Sequence, residues 1–414
     1  MATDAGAAEQ QQAAPASEVA PVTEAAPETK PAPTKLEEYR GAKHWEGLHP
    51  GVEEPREWDE GFRSFLLKYG MLNHVVYDTF LRGEEGFKDA TGLRGTSRFG
   101  TDFAEFTAKG LEFSYMTKHG ERKQEYDFTK DYEIVGNLVC SPQAFFPSED
   151  NWFGFIALSK PETTGEKEML IVFRGTETPK EWAEIATVFM EQLDGDAKTS
   201  PFDIGFGRSK LMCHEGFQRL YIKKPANFLS PRETIRDHIK TWAEAGRVEK
   251  ITVVGHSLGA AMCQHCAIDL AHSKVAGDIP ILAIGWAAPR VGNVALAEWV
   301  DNQPNLRILR IRNPIDLITN IPPDNRWNLL SSGYKPMGTE INLLNTHLKE
   351  EGIVTEKGNS ANHNLEMYLH NIDPTRDVAL MNKVGNIIPA EYCIKHNISR
   401  SWHTQTWPRT MYHK

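Results

Sequence analysis

The sequence predicts an α/β protein with a mostly parallel central sheet, helices on both of its faces and a helical N-terminal extension. Three observations carry this. From "EMLIVFRG" onward, short apolar runs alternate with amphipathic stretches of helical length, the pattern of parallel strands joined by crossover helices. The runs "ITVVG", "ILAIGW" and "LRILRI" are almost continuously apolar, as strands covered on both faces must be. The chain has 414 residues, 40% hydrophobic and 25% charged, which is enough to bury a sizeable core.

Residues 1–35 are a different material, rich in Ala, Pro, Glu and Gln. They hold almost nothing to bury and are expected to be a disordered tail. The tail lacks the apolar run of a secretory signal; its acidic residues and first arginine at Arg40 are unlike a transit peptide. Residues 36–414 read as one domain, with its core at about 150–385. In "REWDEGFRSFLLKYGMLNHVVYDTFLRG", Phe62, Phe65, Leu66, Tyr69, Leu72, Val76 and Phe80 recur at helical spacing. "YEIVGNLVCS", "WFGFIALS" and "EMLIVFRG" are branched and aromatic runs that predict strands. "RETIRDHIKTWAEAG" is helical and ends on glycine. Strand "KITVVG", helix "SLGAAMCQHCAIDLAHS", strand "IPILAIGWA", helix "NVALAEWVDN" and strand "LRILRIRN" follow.

The formal charge of -10 argues against nucleic acid as a main partner. Five cysteines, irregularly spaced, do not form a disulfide framework and suit a reducing, cytoplasmic setting. Cys263 and Cys266 lie at i, i+3 with no second ligand pair nearby, so they are expected to be small core residues rather than metal ligands.

In "ITVVGHSLGA", Ser257 stands between a buried strand and a helix, flanked by Gly255 and Gly259. Gly-x-Ser-x-Gly is a weak pattern alone, but strand-to-helix context is what a nucleophile elbow requires. The sharp turn strains the serine, and the glycines leave room for the crowded backbone. A serine nucleophile needs a base and the base an orienting carboxylate, in the chain order Ser, acid, His. Asp316, in "PIDLITNIPP" after a strand, fits the acid, with Asp324 in "PPDNRW" as rival. His363 fits the base: it ends the run "KGNSAN" and precedes the helix "NLEMYL". His347, after the possible strand "INLLN", is the runner-up, and His370 falls at the far end of the helix.

An oxyanion would be held by the N–H of Leu258, just after the serine. A second donor is expected from the loop after "EMLIVF", where Thr176 adds a hydroxyl. In "TPKEWAEIATVFM", Trp182, Ile185 and Phe189 share one helical face, which suggests either a lid that opens at apolar surfaces or a core helix.

With these residues in view, the chain resembles the class 3 lipases, which are α/β-hydrolases. "IVFRGT", "CHEGF", "VVGHSLGA", "APRVGN" and the Asp316 loop carry the resemblance. "HWEGLHP", "YGMLNHVVYDTF", "NWFGFIALS", "HNLEMYLH" and "RDVALMNK" narrow it to the plant phospholipase A1 branch. The resemblance implies Ser257 as nucleophile, Asp316 as acid, His363 as base and Thr176 with Leu258 as oxyanion donors. It implies hydrolysis of acyl esters, typically at the sn-1 position of glycerolipids, at a membrane or lipid aggregate and with no metal or organic cofactor. Galactolipids and acylglycerols are alternative substrates, and a non-catalytic lipase-like scaffold is the alternative function. Ala260 replaces a glycine usual after the elbow, and "IKHNISRSWHTQTW" matches the family poorly; both departures bear on substrate range.

Overall fold

In the computed structural model, which describes residues 52–53, 60–79, 112–116, 122–141, 150–176, 190–193, 210–323, 333–343 and 360–373, the alternation becomes a sheet of eight strands. In chain order the strands are β1 (Val52–Glu53), β2 (Glu112–Met116), β3 (Arg122–Asp127), β4 (Tyr132–Cys140), β5 (Asn151–Ser159), β6 (Glu168–Phe173) and β7 (Met190–Gln192). They continue as β8 (Met212–His214), β9 (Lys250–His256), β10 (Ile281–Trp286), β11 (Gly292–Asn293), β12 (Leu306–Arg312), β13 (Tyr334–Lys335) and β14 (Thr339–Asn342). The longer helices are α1 (Glu60–Thr79), α2 (Glu215–Ile222), α3 (Pro231–Glu244), α4 (Leu258–Ser273), α5 (Val294–Asp301) and α6 (Leu365–Ile372).

The main sheet has the order β1-β14-β12-β10-β9-β6-β5-β4. Neighbours are parallel from β1 across to β6, while β5 is antiparallel to both β6 and β4. The expectation of a mostly parallel sheet with helices on both faces therefore holds. The strand expected at "INLLN" instead spans Thr339–Asn342. A second sheet, β13-β11-β8-β7, and the hairpin β2-β3 were not anticipated.

Side chains alternate across the sheet into two cores. Ile251, Val253, Ile281, Ala283 and Ile308 join α2, α3, α4 and α5 on one face. Val254, Ile284, Leu309 and Ile311 join α1 and α6 on the other. Helix α4 is buried from Leu258 to Ala271, which its nearly all-round apolar sequence requires. Each large aliphatic side chain so covered contributes roughly 1.5–3 kcal/mol. Helix α3 starts on a capping box: Ser230 Oγ accepts from the Glu233 N–H at 3.2 Å, and Glu233 Oε2 accepts from the Ser230 N–H at 2.9 Å.

The predicted apolar face of α1 is buried at Phe62, Phe65, Leu66, Tyr69, Leu72 and Val76, while Phe80 lies outside the described residues. Gly70 sits where α1 meets α6: a Cβ there would lie 2.4 Å from Leu369 Cδ2. A buried carboxylate ties the same helix to the sheet. Glu168 Oε1 accepts from the Tyr69 hydroxyl at 2.7 Å and also from the Thr252 hydroxyl, and Oε2 accepts from the Tyr132 hydroxyl at 2.7 Å. Three hydroxyl donors offset the desolvation that an unpartnered buried carboxylate would incur.

Candidate active site

Strand β9 and helix α4 meet at Ser257, whose φ of 58° and ψ of -125° lie in a region that L-residues with a side chain rarely adopt. The surroundings hold it there. Its N–H donates to Trp286 O at 2.9 Å, and its carbonyl accepts from the N–H groups of Ala260 and Ala261 at 2.9 and 3.2 Å. The expected crowding is present. A Cβ on Gly255 would lie 2.0 Å from Gly259 O, and one on Gly259 would lie 2.4 Å from Phe173 O and 2.6 Å from Arg174 O.

Asp316 lies just past β12, in a turn where its N–H donates to Asn313 O at 3.0 Å. Arg290 holds the end of this loop through Asn320 O at 2.6 Å and Pro322 O at 2.8 Å. Arg312 donates to Asn320 Oδ1 at 2.9 Å and to Thr319 Oγ1 at 3.2 Å. His363 ends the 3₁₀ segment Ser360–His363, and α6 then starts with Asn364 Oδ1 accepting from the Glu366 N–H at 2.9 Å.

The structure brings the three residues into one hydrogen-bonded chain. His363 Nε2 lies 2.7 Å from Ser257 Oγ, and His363 Nδ1 lies 2.7 Å from Asp316 Oδ2. A carboxylate only accepts, so Nδ1 carries the hydrogen and Nε2 presents its lone pair to the serine hydroxyl. Asp316 is 2% exposed and His363 5%, which strengthens the electrostatics among them.

Sequence reasoning missed three supporting residues. Tyr368, on α6, donates its hydroxyl to Asp316 Oδ2 at 2.7 Å and accepts from the Asn313 N–H at 3.2 Å. The Ile318 N–H gives Asp316 a third donor, on Oδ1 at 2.9 Å. Burial, then the Asp316 charge, pushes the Tyr368 phenol well above its ordinary pKa, so it stays a protonated donor. Arg174 is fully buried; its Nε donates to Trp152 O at 2.8 Å and an Nη to Gly175 O at 2.8 Å. That pins the loop leading to Thr176. His256 touches His363 directly, through Nε2 at 2.7 Å from the His363 carbonyl. The available sequence signal was polarity at the ends of apolar runs: Arg174 closes "EMLIVFR" and His256 closes "ITVVGH".

The expected oxyanion donors are Leu258 and Thr176. Leu258 is the first residue of α4, so its N–H has no acceptor within the helix. Thr176 lies three residues beyond β6, and its Oγ1 is buried with no hydrogen-bond partner among the described residues. Of the rivals, His370 is buried on α6, whereas Asp324 and His347 lie outside the described residues, as do Trp182, Ile185, Phe189 and residues 1–35. Cys263 and Cys266 are free, buried and part of one apolar core. Among the described residues, no three His, Cys, Asp or Glu side chains are grouped to hold a metal.

Residues 170–326 match the family model described as Lipase (class 3). The chain is 28% identical over 393 residues to phospholipase A1-II 3 of Oryza sativa subsp. indica, covering 85% of each chain. It is 26% identical over 358 residues to phospholipase A1-IIgamma of Arabidopsis thaliana, covering 81% of this chain and 78% of the relative. Among solved structures, it matches Rhizomucor miehei triacylglyceride lipase at 22% identity and a TM-score of 0.37, covering 52% of this chain and 68% of that one.

Proposed function

We propose that this chain, a class 3 lipase of the plant phospholipase A1 type, hydrolyses the sn-1 acyl ester of glycerolipids through Ser257, His363 and Asp316. One observation carries the reading: the chain Ser257 Oγ, His363 and Asp316, joined by two 2.7 Å contacts at a strained strand-to-helix elbow. As Ser257 Oγ attacks the ester carbonyl, its proton passes to His363 Nε2. Asp316 stabilises the imidazolium on the Nδ1 side. The Leu258 N–H and Thr176 hold the oxyanion. Collapse expels the glycerol-side alkoxide, which takes the proton from His363. Water then gives a proton to His363 and attacks the acyl-enzyme, releasing the fatty acid and returning the proton to Ser257.

Trp182, Ile185 and Phe189 form one apolar face on the sequence, and in this reading they meet a membrane or lipid aggregate peripherally. A cytoplasmic location is part of the same proposal, on the sequence grounds given above.

The test pairs a panel of defined phospholipids, galactolipids and acylglycerols, analysed for position of cleavage, with Ser257→Ala. Wild type should release the sn-1 fatty acid from phospholipid. The variant should fold normally and lose about 10⁴-fold or more in kcat, the scale of losing a serine nucleophile. Release from sn-2 only would overturn the phospholipase A1 assignment. Retention of more than a few per cent of turnover by Ser257→Ala would overturn the nucleophile.

A further inference from the structure

The proposed reaction needs His363 held against Ser257, yet the two come from segments 106 positions apart. His256 joins them. It is the last residue of β9, immediately before Ser257, and it is 2% exposed. Its Nε2 lies 2.7 Å from the backbone oxygen of His363. A carbonyl only accepts, so Nε2 carries the hydrogen and donates. The two imidazole rings lie with centroids 5.0 Å apart at 38°, and the His256 ring meets Tyr368 edge-on at 6.4 Å. The neighbouring carbonyl is held from the other side: Asn313 Nδ2 donates to Asn362 O at 3.2 Å. Consecutive carbonyls of the 3₁₀ segment are thus fixed by the nucleophile strand and by the loop that carries Asp316.

We infer that His256 is a positioning residue that sets the register of His363 against Ser257 through its backbone carbonyl. This rests on the reading of Ser257 and His363 as nucleophile and base. His256 acts by keeping His363 Nε2 within reach of Oγ, through the base's backbone carbonyl and beside its ring. Because β9 also delivers Ser257, any drift of the strand moves nucleophile and base together.

The test compares wild type with His256→Leu, which removes the donor, and His256→Gln, whose amide nitrogen can reach the same carbonyl. His256→Asn, one bond shorter, is the stand-in if the leucine variant is insoluble. Each is assayed on p-nitrophenyl butyrate for kcat and KM, with melting temperature measured alongside and Ser257→Ala as control. A misplacement of about 1 Å can cost roughly 10²-fold. His256→Leu should therefore lose about 10- to 100-fold in kcat with KM within about threefold, and His256→Gln should recover to within about fivefold of wild type. A purely structural role would lower the melting temperature of the leucine and glutamine variants alike and leave no rescue. The inference is overturned if the donor-less variant keeps kcat within about twofold, if its loss lies in KM, or if glutamine fails to rescue. Survival of activity in Ser257→Ala would instead overturn the nucleophile reading on which the inference stands.

Discussion

Gly259→Ala tests whether the elbow and the oxyanion loop form one rigid unit. The added Cβ would lie 2.4 Å from Phe173 O and 2.6 Å from Arg174 O, where real Cβ atoms keep at least 3.0 Å. Both obstacles are backbone, and Arg174 is locked by hydrogen bonds to Trp152 O and Gly175 O, so no flexible side chain can yield. Either α4 or the end of β6 must move until the first gap opens from 2.4 Å to at least 3.0 Å. Leu258 rides on α4 and Thr176 follows β6, so the movement separates the two proposed oxyanion donors. Losing one such donor costs about 10²–10³-fold in kcat. We expect kcat on p-nitrophenyl butyrate to fall about 100-fold with KM within about threefold. Overpacking adds about 1–3 kcal/mol of destabilisation, a fall of several degrees by differential scanning fluorimetry. Gly277→Ala is the control. Its φ of 57° also disfavours a side chain, but nothing lies within 4 Å of the added Cβ, so it should cost stability and leave kcat alone. If Gly259→Ala kept kcat within threefold of wild type, the rigid coupling of elbow and loop would be wrong.

Two further outcomes follow from the buried polar groups. Tyr368→Phe keeps the ring contact with Trp286 at 6.5 Å but removes a donor to Asp316; a hydrogen bond to a charged group is worth about 1.5–3 kcal/mol. The melting temperature should fall by several degrees and kcat/KM by about tenfold, and unchanged values of both would refute the role given to the hydroxyl. His265 is held neutral, its pKa lowered from 6.5 to about 3 by burial first and then by the Arg232 and His214 charges. Below pH 6.5 the unfolded chain binds a proton that the folded protein refuses, so stability present above pH 6.5 is lost as pH falls towards 3. By pH 4 the loss is about 3 kcal/mol. His265→Phe should lose melting temperature less steeply between pH 6.5 and 4 than wild type, and parallel slopes would refute the assignment.

What was legible in the sequence is what local physics enforces. Strands such as β9 and β10, covered on both faces, must be continuously apolar, and an elbow without room for a Cβ must be written with glycine. The alternation and Ser257 could therefore be read directly. The reversal of β5 could not, because a strand buried on both faces has the same composition whichever way it runs. Nor could β11 and β13, which at two residues each are too short to show a period.

The proposed acid and base stood between these cases. Residue type and chain order narrowed them to Asp316 or Asp324 and to a few histidines, but choosing His363 over His347 depends on how loops close across the top of the sheet. The supporting residues lay beyond reach for a sharper reason. Tyr368 acts on a residue 52 positions away and His256 on one 107 away, and neither partner leaves a mark on the local pattern. His256 shows the ambiguity most clearly. Read along the chain, it fills the variable position of Gly-x-Ser-x-Gly, where the elbow's sterics ask nothing of the side chain. Read across the fold, that position is the end of the strand nearest His363, so a donor placed there reaches the base's backbone while the next residue reaches its ring. The nucleophile motif and the hold on the base are thus adjacent letters, and only the closure of the chain distinguishes them.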